Sequence, residues 1–400
     1  MTEELQALVE YHSRIKAAEA DVTSAEELAK VSLGDWFPTV SFTAGVGYER
    51  QHKGNGTDDT SMPPRDANVT LDQKVWDFGA TNAGIERSRL TEDQARVNLV
   101  STRQTLILEG VTAYLDVMRQ FKLVKFARAS VENIKKQAEL EDSRVERGSG
   151  FSTDVLQAKT QLAGAEARLT QAQGALKVAL NRYRAVFGHD SGKIDDMSVP
   201  ATPFEELPES LDEAIEIAIR DNPGLVSAAK DAEILRATER ETRADELFPS
   251  IDASLSQTVE EDADGTVGNN SETLLLLELS YDFGVTGTNH SAVYAARQDA
   301  IASENRYIDA RDLLEEQVRN AWDNLMTATE NARHLNNQAD IAAEFLELAR
   351  KDRALGNRSL IDVLSGETAL INASSDAASA ETDVAIAVYT LLASLGKLEI

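Results

Sequence analysis

Cysteine is absent from the 400 residues. Disulfides, thiolate zinc sites, a thiol nucleophile and the acylated cysteine of a bacterial lipoprotein are excluded with it. The oxidising cell envelope is a compatible setting. Basic residues are the minority: 40 Lys and Arg stand against 68 Asp and Glu, a formal net charge of −28. Nucleic-acid binding needs a basic patch, so this balance argues against it. It fits an acidic surface or an acidic water-filled passage that favours cations. A run of about 18 apolar residues is also missing, so no transmembrane helix is expected. Met1-Thr2-Glu3-Glu4-Leu5 lacks the basic start and apolar stretch of a signal peptide, and a secreted form needs a leader ahead of it. Any meeting with a membrane then takes the form of a β-barrel, because only helices and closed barrels satisfy their backbone groups in lipid. His12, His52, His189, His290 and His334 are scattered without metal-ligand spacing. No glycine-rich phosphate loop, nucleophile motif or metal cluster is found, so the chain reads as a non-enzyme that needs no cofactor.

What is present is written twice. Trp36-Phe37-Pro38 returns as Leu247-Phe248-Pro249, and Trp76-Asp77-Phe78-Gly79 as Tyr281-Asp282-Phe283-Gly284. Gly148-Ser149-Gly150-Phe151-Ser152-Thr153-Asp154-Val155-Leu156 returns as Gly356-Asn357-Arg358-Ser359-Leu360-Ile361-Asp362-Val363-Leu364. The offsets are 249−38 = 211, 282−77 = 205 and 362−154 = 208, and the order is preserved, which marks an internal duplication of residues 1–200 in 201–400. Each half reads as helix, strand, loop, strand, very long helix, tight break, helix.

In the first half a helix is expected over Glu3 to about Asp35, strands over about 39–49 and 68–76, a long helix over 80–147 and another over 151–187. The second half gives a helix over 210–246, strands over about 250–259 and 273–281, a long helix over 285–355 and a last helix over 359–396. The first helices stop at the Phe-Pro pairs, since proline disfavours helix in the residue before it. Val40, Phe42, Ala44, Val46 and Tyr48 alternate with polar or small residues, the period-two signature of a strand. Leu274 and Leu276 sit among the polar set of the last strand. Gln51 to Asp66 and Glu260 to Ser271 read as exposed polar loops, and the Asp-rich second one matches no EF-hand spacing. The long stretches carry almost no helix breaker. At 1.5 Å per residue they extend roughly 100 Å, with alanine-rich seams suited to close-packed coiled coils.

Four strands leave two bare edges, and edges cannot face lipid. Three copies contribute twelve strands, within the range of membrane barrels, and symmetric closure turns the helices into a ring. Trp36, Phe37, Trp76, Phe78, Phe248, Tyr281 and Phe283 cluster where helix meets strand. Such clustering is expected of an interfacial aromatic girdle; rings packing a helix–strand corner are the alternative. With three copies the expected fold class is an α+β membrane protein, a long α-helical barrel on a shared twelve-stranded trimeric β-barrel. A soluble coiled-coil scaffold explains the helices and leaves the alternating strands without a reason.

The duplicated plan, the Phe-Pro step into each first strand, the aromatic-Asp-Phe-Gly exit and the Gly-x5-Asp-Val-Leu tips together resemble the TolC family of outer-membrane efflux and secretion ducts. The resemblance runs from about Leu5 to Gly396. It implies a homotrimer in the outer membrane with its helical barrel in the periplasm, and a mixed belt drawing on Gly188 to Pro208, where Pro200, Pro203 and Pro208 break the helices. It implies as partners outer-membrane lipid, a periplasmic adaptor protein and an inner-membrane ABC or RND pump. The missing cysteine and the end at Leu398-Glu399-Ile400 favour a compact duct of the type I secretion or shared-efflux kind.

The family closes its periplasmic entrance at helical hairpin tips, here the breaks at Gly148 and Gly356, which are also the expected adaptor-docking points. By the resemblance Asp362 falls on the acidic ring at the narrowest point and Arg358 on the arginine that ties the inner hairpin shut. Thr153 and Asp154 fall on the tethering partners. The tether tyrosine falls on Arg353, an expected ionic partner of Asp154. A second acidic ring falls on Ser365 and is absent. Capping is the plain alternative for Asp154 and Asp362, since acidic side chains favour helix N-termini.

Overall fold

The proline-free stretches fold as two helices of equal length. In the computed structural model, which describes residues 1–52, 54, 59–198, 201–284 and 286–398, α3 spans Ala80–Glu146 and α7 Thr288–Ala354, 67 residues each. Expectations for Asn55, Gly56, Asp58, Pro200, Val285, Glu399 and Ile400 lie outside the described residues. Ahead of α3 come α1 (Thr2–Tyr11), α2 (Ser13–Gly34), β1 (Thr39–Val46), β2 (Glu49–Gln51), β3 (Thr60–Met62) and β4 (Arg65–Trp76). After it come α4 (Ser152–Phe187), two 3-10 turns (Ile194–Asp196, Phe204–Glu206), α5 (Leu211–Asp221), α6 (Pro223–Leu247), β5 (Ser250–Glu261) and β6 (Asn269–Ser280), with α8 (Leu360–Ser394) following α7.

The opening helix of each half is broken, contrary to the continuous helices expected over Glu3–Asp35 and 210–246. His12 is extended between α1 and α2 (φ −68°, ψ 137°), and its Nδ1 accepts from the Arg14 amide at 3.1 Å. Asn222 is extended between α5 and α6 (φ −67°, ψ 119°), and its Oδ1 accepts from the Leu225 amide at 3.1 Å. Both side chains act as N-caps of a restarted helix. At the second break Pro223 supplies the cause, disfavouring helix at Asn222 and removing its own N–H at a position where that loss is harmless.

Two compact units result, one of residues 1–18, 99–225 and 311–400, the other of 19–98 and 226–310. Among the described residues the first contains no strand. A Cβ at Gly110 of α3 would meet Leu5 Cδ2 at 2.7 Å and Leu8 Cδ2 at 2.8 Å, so α1 lies closer to α3 than any larger residue permits. Tyr183 of α4 is fully buried, stacks on Phe187 at 4.3 Å and donates its hydroxyl to Glu4. Within the Gly188–Pro208 stretch the Ser198 carbonyl accepts from Tyr114 Oη at 3.0 Å, and Asp195 pairs with Lys125 at 3.0 Å.

The second unit carries a four-stranded antiparallel sheet in the order β1–β4–β5–β6. β5 runs to Glu261 and β6 begins at Asn269, so the Asp-rich loop is shorter than expected. Asp262 closes it: its amide donates to the Gly268 carbonyl at 3.0 Å and its Oδ1 accepts from the Gly268 amide at 2.9 Å. Part of the stretch expected as the Gln51–Asp66 loop is strand, with β2 and β3 paired from Glu49↔Met62 to Gln51↔Thr60.

In the first unit Glu109 of α3 accepts from Arg14 at 2.9 and 2.7 Å and from Arg182 at 3.1 Å, tying α2 and α4 to α3. The hydrogen bonds from Arg14 hold its carboxyl below the ordinary value, burial opposing and the Arg14 and Arg182 charges assisting. That stabilisation is complete above an ordinary carboxylate pKa of about 4.3 and is lost as pH falls through the lower folded value. Glu109→Gln is expected to lower the thermal unfolding midpoint at pH 7, with the gap to the parent narrowing below about pH 4.

Candidate functional site: a two-faced sheet and two helical tips

Register decides what each face of the sheet carries. One row across it reads Val40, Leu71, Leu255, Leu275, and another reads Ala44, Ala67, Val259, Ser271. Leu277 and Leu279 continue this face opposite Ala253 and Ile251. On the other face the rows read Thr39, Asp72, Ser254, Leu276; then Thr43, Asn68, Thr258, Glu272; then Gly45, Asp66, Glu260, Asn270. Lys74, Asp252 and Glu278 form a further polar row. The polar face thus holds six carboxylates and one lysine, with Leu274 and Leu276 as its apolar exceptions. Val40, Phe42, Val46, Leu275, Leu277 and Leu279 are each at least 65% exposed in the single chain. A patch of that extent marks an interaction surface.

The edges of this sheet are β1 and β6, which pair on one side only. A β-bulge adds one residue between Lys74 and Trp76, so that Trp76, not Val75, stands opposite Ile251 on the apolar face. The aromatic residues singled out in the sequence gather at this end of the sheet. Phe78 stacks on Phe248 at 5.2 Å and meets Trp76 edge-on at 6.1 Å, and Tyr281 meets Phe283 edge-on at 4.3 Å. Trp36 Nε1 donates to Asn82 Oδ1 at 3.0 Å, while Phe37 and Phe283 are 69% and 79% exposed. Corner packing and outward exposure therefore coexist.

The first aromatic-Asp-Phe-Gly motif is a strand-to-helix turn. Asp77 Oδ1 accepts from the Gly79 amide at 3.1 Å and Oδ2 from the Thr81 amide at 2.7 Å, so its carboxylate caps α3. Phe78 (φ 56°) and Gly79 (φ 98°) reverse the chain between them. The second motif does not repeat this geometry. α7 starts only at Thr288, and Asn289 Nδ2 donates to the Glu246 and Asp282 carbonyls at 2.9 and 3.2 Å instead.

The helical tips belong to the first unit. α3 and α7 end alike: the Ser149 amide donates to the Arg144 carbonyl and the Asn357 amide to the Asp352 carbonyl, both at 2.9 Å, with Gly148 (φ 74°) and Gly356 (φ 81°) left-handed. This is the Schellman closure, which only glycine enters without strain. Ser359 caps α8, its Oγ accepting from the Asp362 amide at 3.3 Å. Asp362 thus sits in the first turn of α8, half-buried, and Asp154 and Thr153 sit in the first turn of α4. The Thr153 and Asp154 side chains make no hydrogen bond or ion pair among the described residues.

Arg353 does not pair with Asp154. Its Nη2 donates to Glu141 of α3 at 2.8 Å and its Nη1 to the Arg358 carbonyl at 3.2 Å. Glu141 also accepts from Arg144 at 2.9 Å, and its side chain is 1% exposed. Desolvation sets the choice: a buried carboxylate binds the nearby guanidinium in preference to an exposed one, because its own charge has no water. Arg358 lies 3.8 Å from Asp352 and stacks its guanidinium over Phe345 at 5.2 Å from the ring centroid.

A second buried carboxylate, Glu367 of α8, accepts from Arg350 of α7 and from Asn133 of α3 at 3.5 Å. Its counterpart in the other hairpin is Lys159 of α4, 3.2 Å from Asp142 of α3. The positions correspond under the duplication, since 350−142 = 208 and 367−159 = 208, but the charges are exchanged. Around these pairs Ile134, Ala138, Ala158, Ala165, Leu360 and Leu364 form one apolar cluster of α3, α4 and α8.

The sequence pattern that defines outer membrane efflux proteins matches residues 5–189 and again 214–397. The chain belongs to the outer membrane efflux protein family. Its function is that of an efflux channel of the outer membrane, and the family is one of transporters rather than enzymes. Among relatives of this efflux family, the outer membrane efflux protein BepC of Brucella suis is 26% identical over 338 residues, 82% of this chain and 72% of that one. The alkaline protease secretion protein AprF of Pseudomonas aeruginosa is 24% identical over 346 residues, 83% of this chain and 69% of that one. The fold of the outer membrane protein VceC of Vibrio cholerae superposes with a TM-score of 0.85 at 14% identity, over 99% of this chain and 95% of that one.

Neither Glu141 nor Glu367 was among the residues the sequence singled out. The available signal was an acidic residue on the apolar side of a coiled-coil seam: Glu141 follows Ile134 and Ala138 at helical spacing. Removing one partner of a buried ion pair strands the other charge. Glu141→Ala is expected to destabilise the first unit by roughly 3 kcal/mol, read as a fall in the denaturant midpoint, whereas Asp154→Ala should move it by less than about 0.5 kcal/mol.

Proposed function

We propose that three copies of this efflux protein close their sheets into one twelve-stranded barrel and form a passive duct from the periplasm to the outside. The observation that carries this reading is the two edge strands, β1 and β6, each paired on one side only and bounding a sheet with one apolar and one acidic face. Bare edges are intolerable in hydrocarbon, and joining β6 of one copy to β1 of the next removes all of them. The apolar face then meets lipid and the acidic face water, which favours the passage of cations. Trp36, Phe37, Trp76, Phe78, Phe248, Tyr281 and Phe283 mark one membrane boundary, where amphipathic rings sit well.

The hairpin tips around Gly148 and Gly356 serve as the periplasmic entrance and as the docking points of an adaptor protein, which connects the duct to an inner-membrane ABC or RND pump. The name of AprF, a protease secretion protein, and that of BepC, an efflux protein, support a shared role in secretion and efflux. Threefold symmetry brings three Asp362 carboxylates together at the entrance, where like charges attract cations. Arg358 holds its own hairpin closed through Asp352 and Phe345. Arg353 holds the two hairpins of one chain together through Glu141. Thr153 and Asp154 face the neighbouring subunit as partners for its tip.

Two measurements test this. Light scattering of the detergent-solubilised particle should give the mass of three chains; a monomer removes the barrel. In planar bilayers, Asp362→Asn should weaken block by divalent cations severalfold, and Arg358→Ser should raise the resting conductance. Unchanged block and conductance equal to the parent in a trimeric particle would remove the gate roles while leaving the duct intact.

A further inference from the structure

A cleft of about 270 Å³ opens in the first unit between α3, α4 and α8. Two polar groups in it lack partners. Ser130 of α3 is 4% exposed, and its Oγ makes no hydrogen bond. Arg168 of α4 has a buried Nη2 without an acceptor, and its guanidinium forms no ion pair among the described residues. The second fact is unusual in a chain with 68 carboxylates. Buried donors are nearly always satisfied, and an unmade bond to a charged group is expensive. The remaining wall is largely apolar, with Leu123, Ala127, Ala172 and Ile371, and Gln171 and Asn372 add amide groups.

A half-buried guanidinium without a carboxylate partner, lining the same cleft as a buried hydroxyl, selects an oxyanion. A guanidinium fork matches a carboxylate in two parallel bonds, and a hydroxyl donates a third. The apolar walls select against a fully hydrated inorganic ion and for one attached to a hydrocarbon group. A cleft of this size holds a ring or a short chain, not a peptide. We propose that this cleft binds a small organic carboxylate, its oxygens on Arg168 and Ser130 and its hydrocarbon part against Leu123, Ala127 and Ile371. Its lining includes no strand residue and no tip residue, so the proposal does not rest on the duct reading.

Sodium benzoate is the probe, titrated calorimetrically into the detergent-solubilised full-length protein, with benzamide, acetate and sulfate in parallel. Benzoate should saturate at one site per chain. Benzamide, which keeps the ring and loses the charge, should bind at least about tenfold more weakly, the worth of a charged hydrogen bond. Acetate and sulfate should also be weaker than benzoate. Arg168→Gln should cost benzoate at least about tenfold and leave benzamide unchanged. The comparison of benzoate with benzamide on the parent protein needs no variant, so a misfolded mutant does not spoil the test. No saturable benzoate binding, equal binding of benzamide, or sulfate binding as tightly as benzoate overturns the proposal. So does an assembled particle whose structure shows a neighbouring subunit's carboxylate on Arg168.

Discussion

Hydrocarbon offers nothing to an unpaired peptide group, and this constraint organises the molecule. The sheet ends on β1 at one side and β6 at the other, with four strands between lipid and closure. Backbone groups in the middle of the sheet satisfy one another; those on its rims do not. A chain that presents leucine and valine on one face and carboxylates on the other also cannot bury both faces in itself. The proposed assembly thus follows from the sheet before any helix is considered. The β4–β5 pairing, which joins the two halves of the duplication, is what makes four strands one sheet instead of two hairpins.

The parts of this arrangement that repeat along the chain were legible. Period two exposed the strands, and the absence of proline exposed α3 and α7. What escaped was set by single side chains acting through the backbone. The break at Asn222 depends on Pro223 and was foreseeable; the matching break at His12 depends on an imidazole capping the next turn, for which the sequence offers no strong signal. The bulge beside Trp76 was invisible because a strand pattern does not reveal where pairing slips by one residue. The aromatic-Asp-Phe-Gly motif was recognised twice, yet only Asp77 caps a helix, because Asn289 takes over the turn in the second copy.

At the tips the same division holds. Gly148 and Gly356 were legible because left-handed closure demands glycine; Asp362 and Asp154 were singled out by the family resemblance, and the chain places them in the first turns of α8 and α4. Arg353 has a different partner in the chain from the one expected. The family resemblance pointed to Asp154, while in the single chain burial assigns it to Glu141, whose carboxylate lies inside the packed seam. Which acid a basic side chain chooses depends on which acid has lost its water, and that is a property of the packed chain.

A duplicated chain runs a risk that a unique one does not: each half is a plausible impostor for the other. The exchanged signs at Asp142–Lys159 and Arg350–Glu367 answer it. Were α4 to fold back along α7, Lys159 would meet Arg350; were α8 to lie along α3, Glu367 would meet Asp142. Both wrong matings oppose like charges, one of them in a dry seam where the repulsion is strongest. The ancestral symmetry that built the molecule has thus been broken where it would let a helix mistake a stranger for its own hairpin mate.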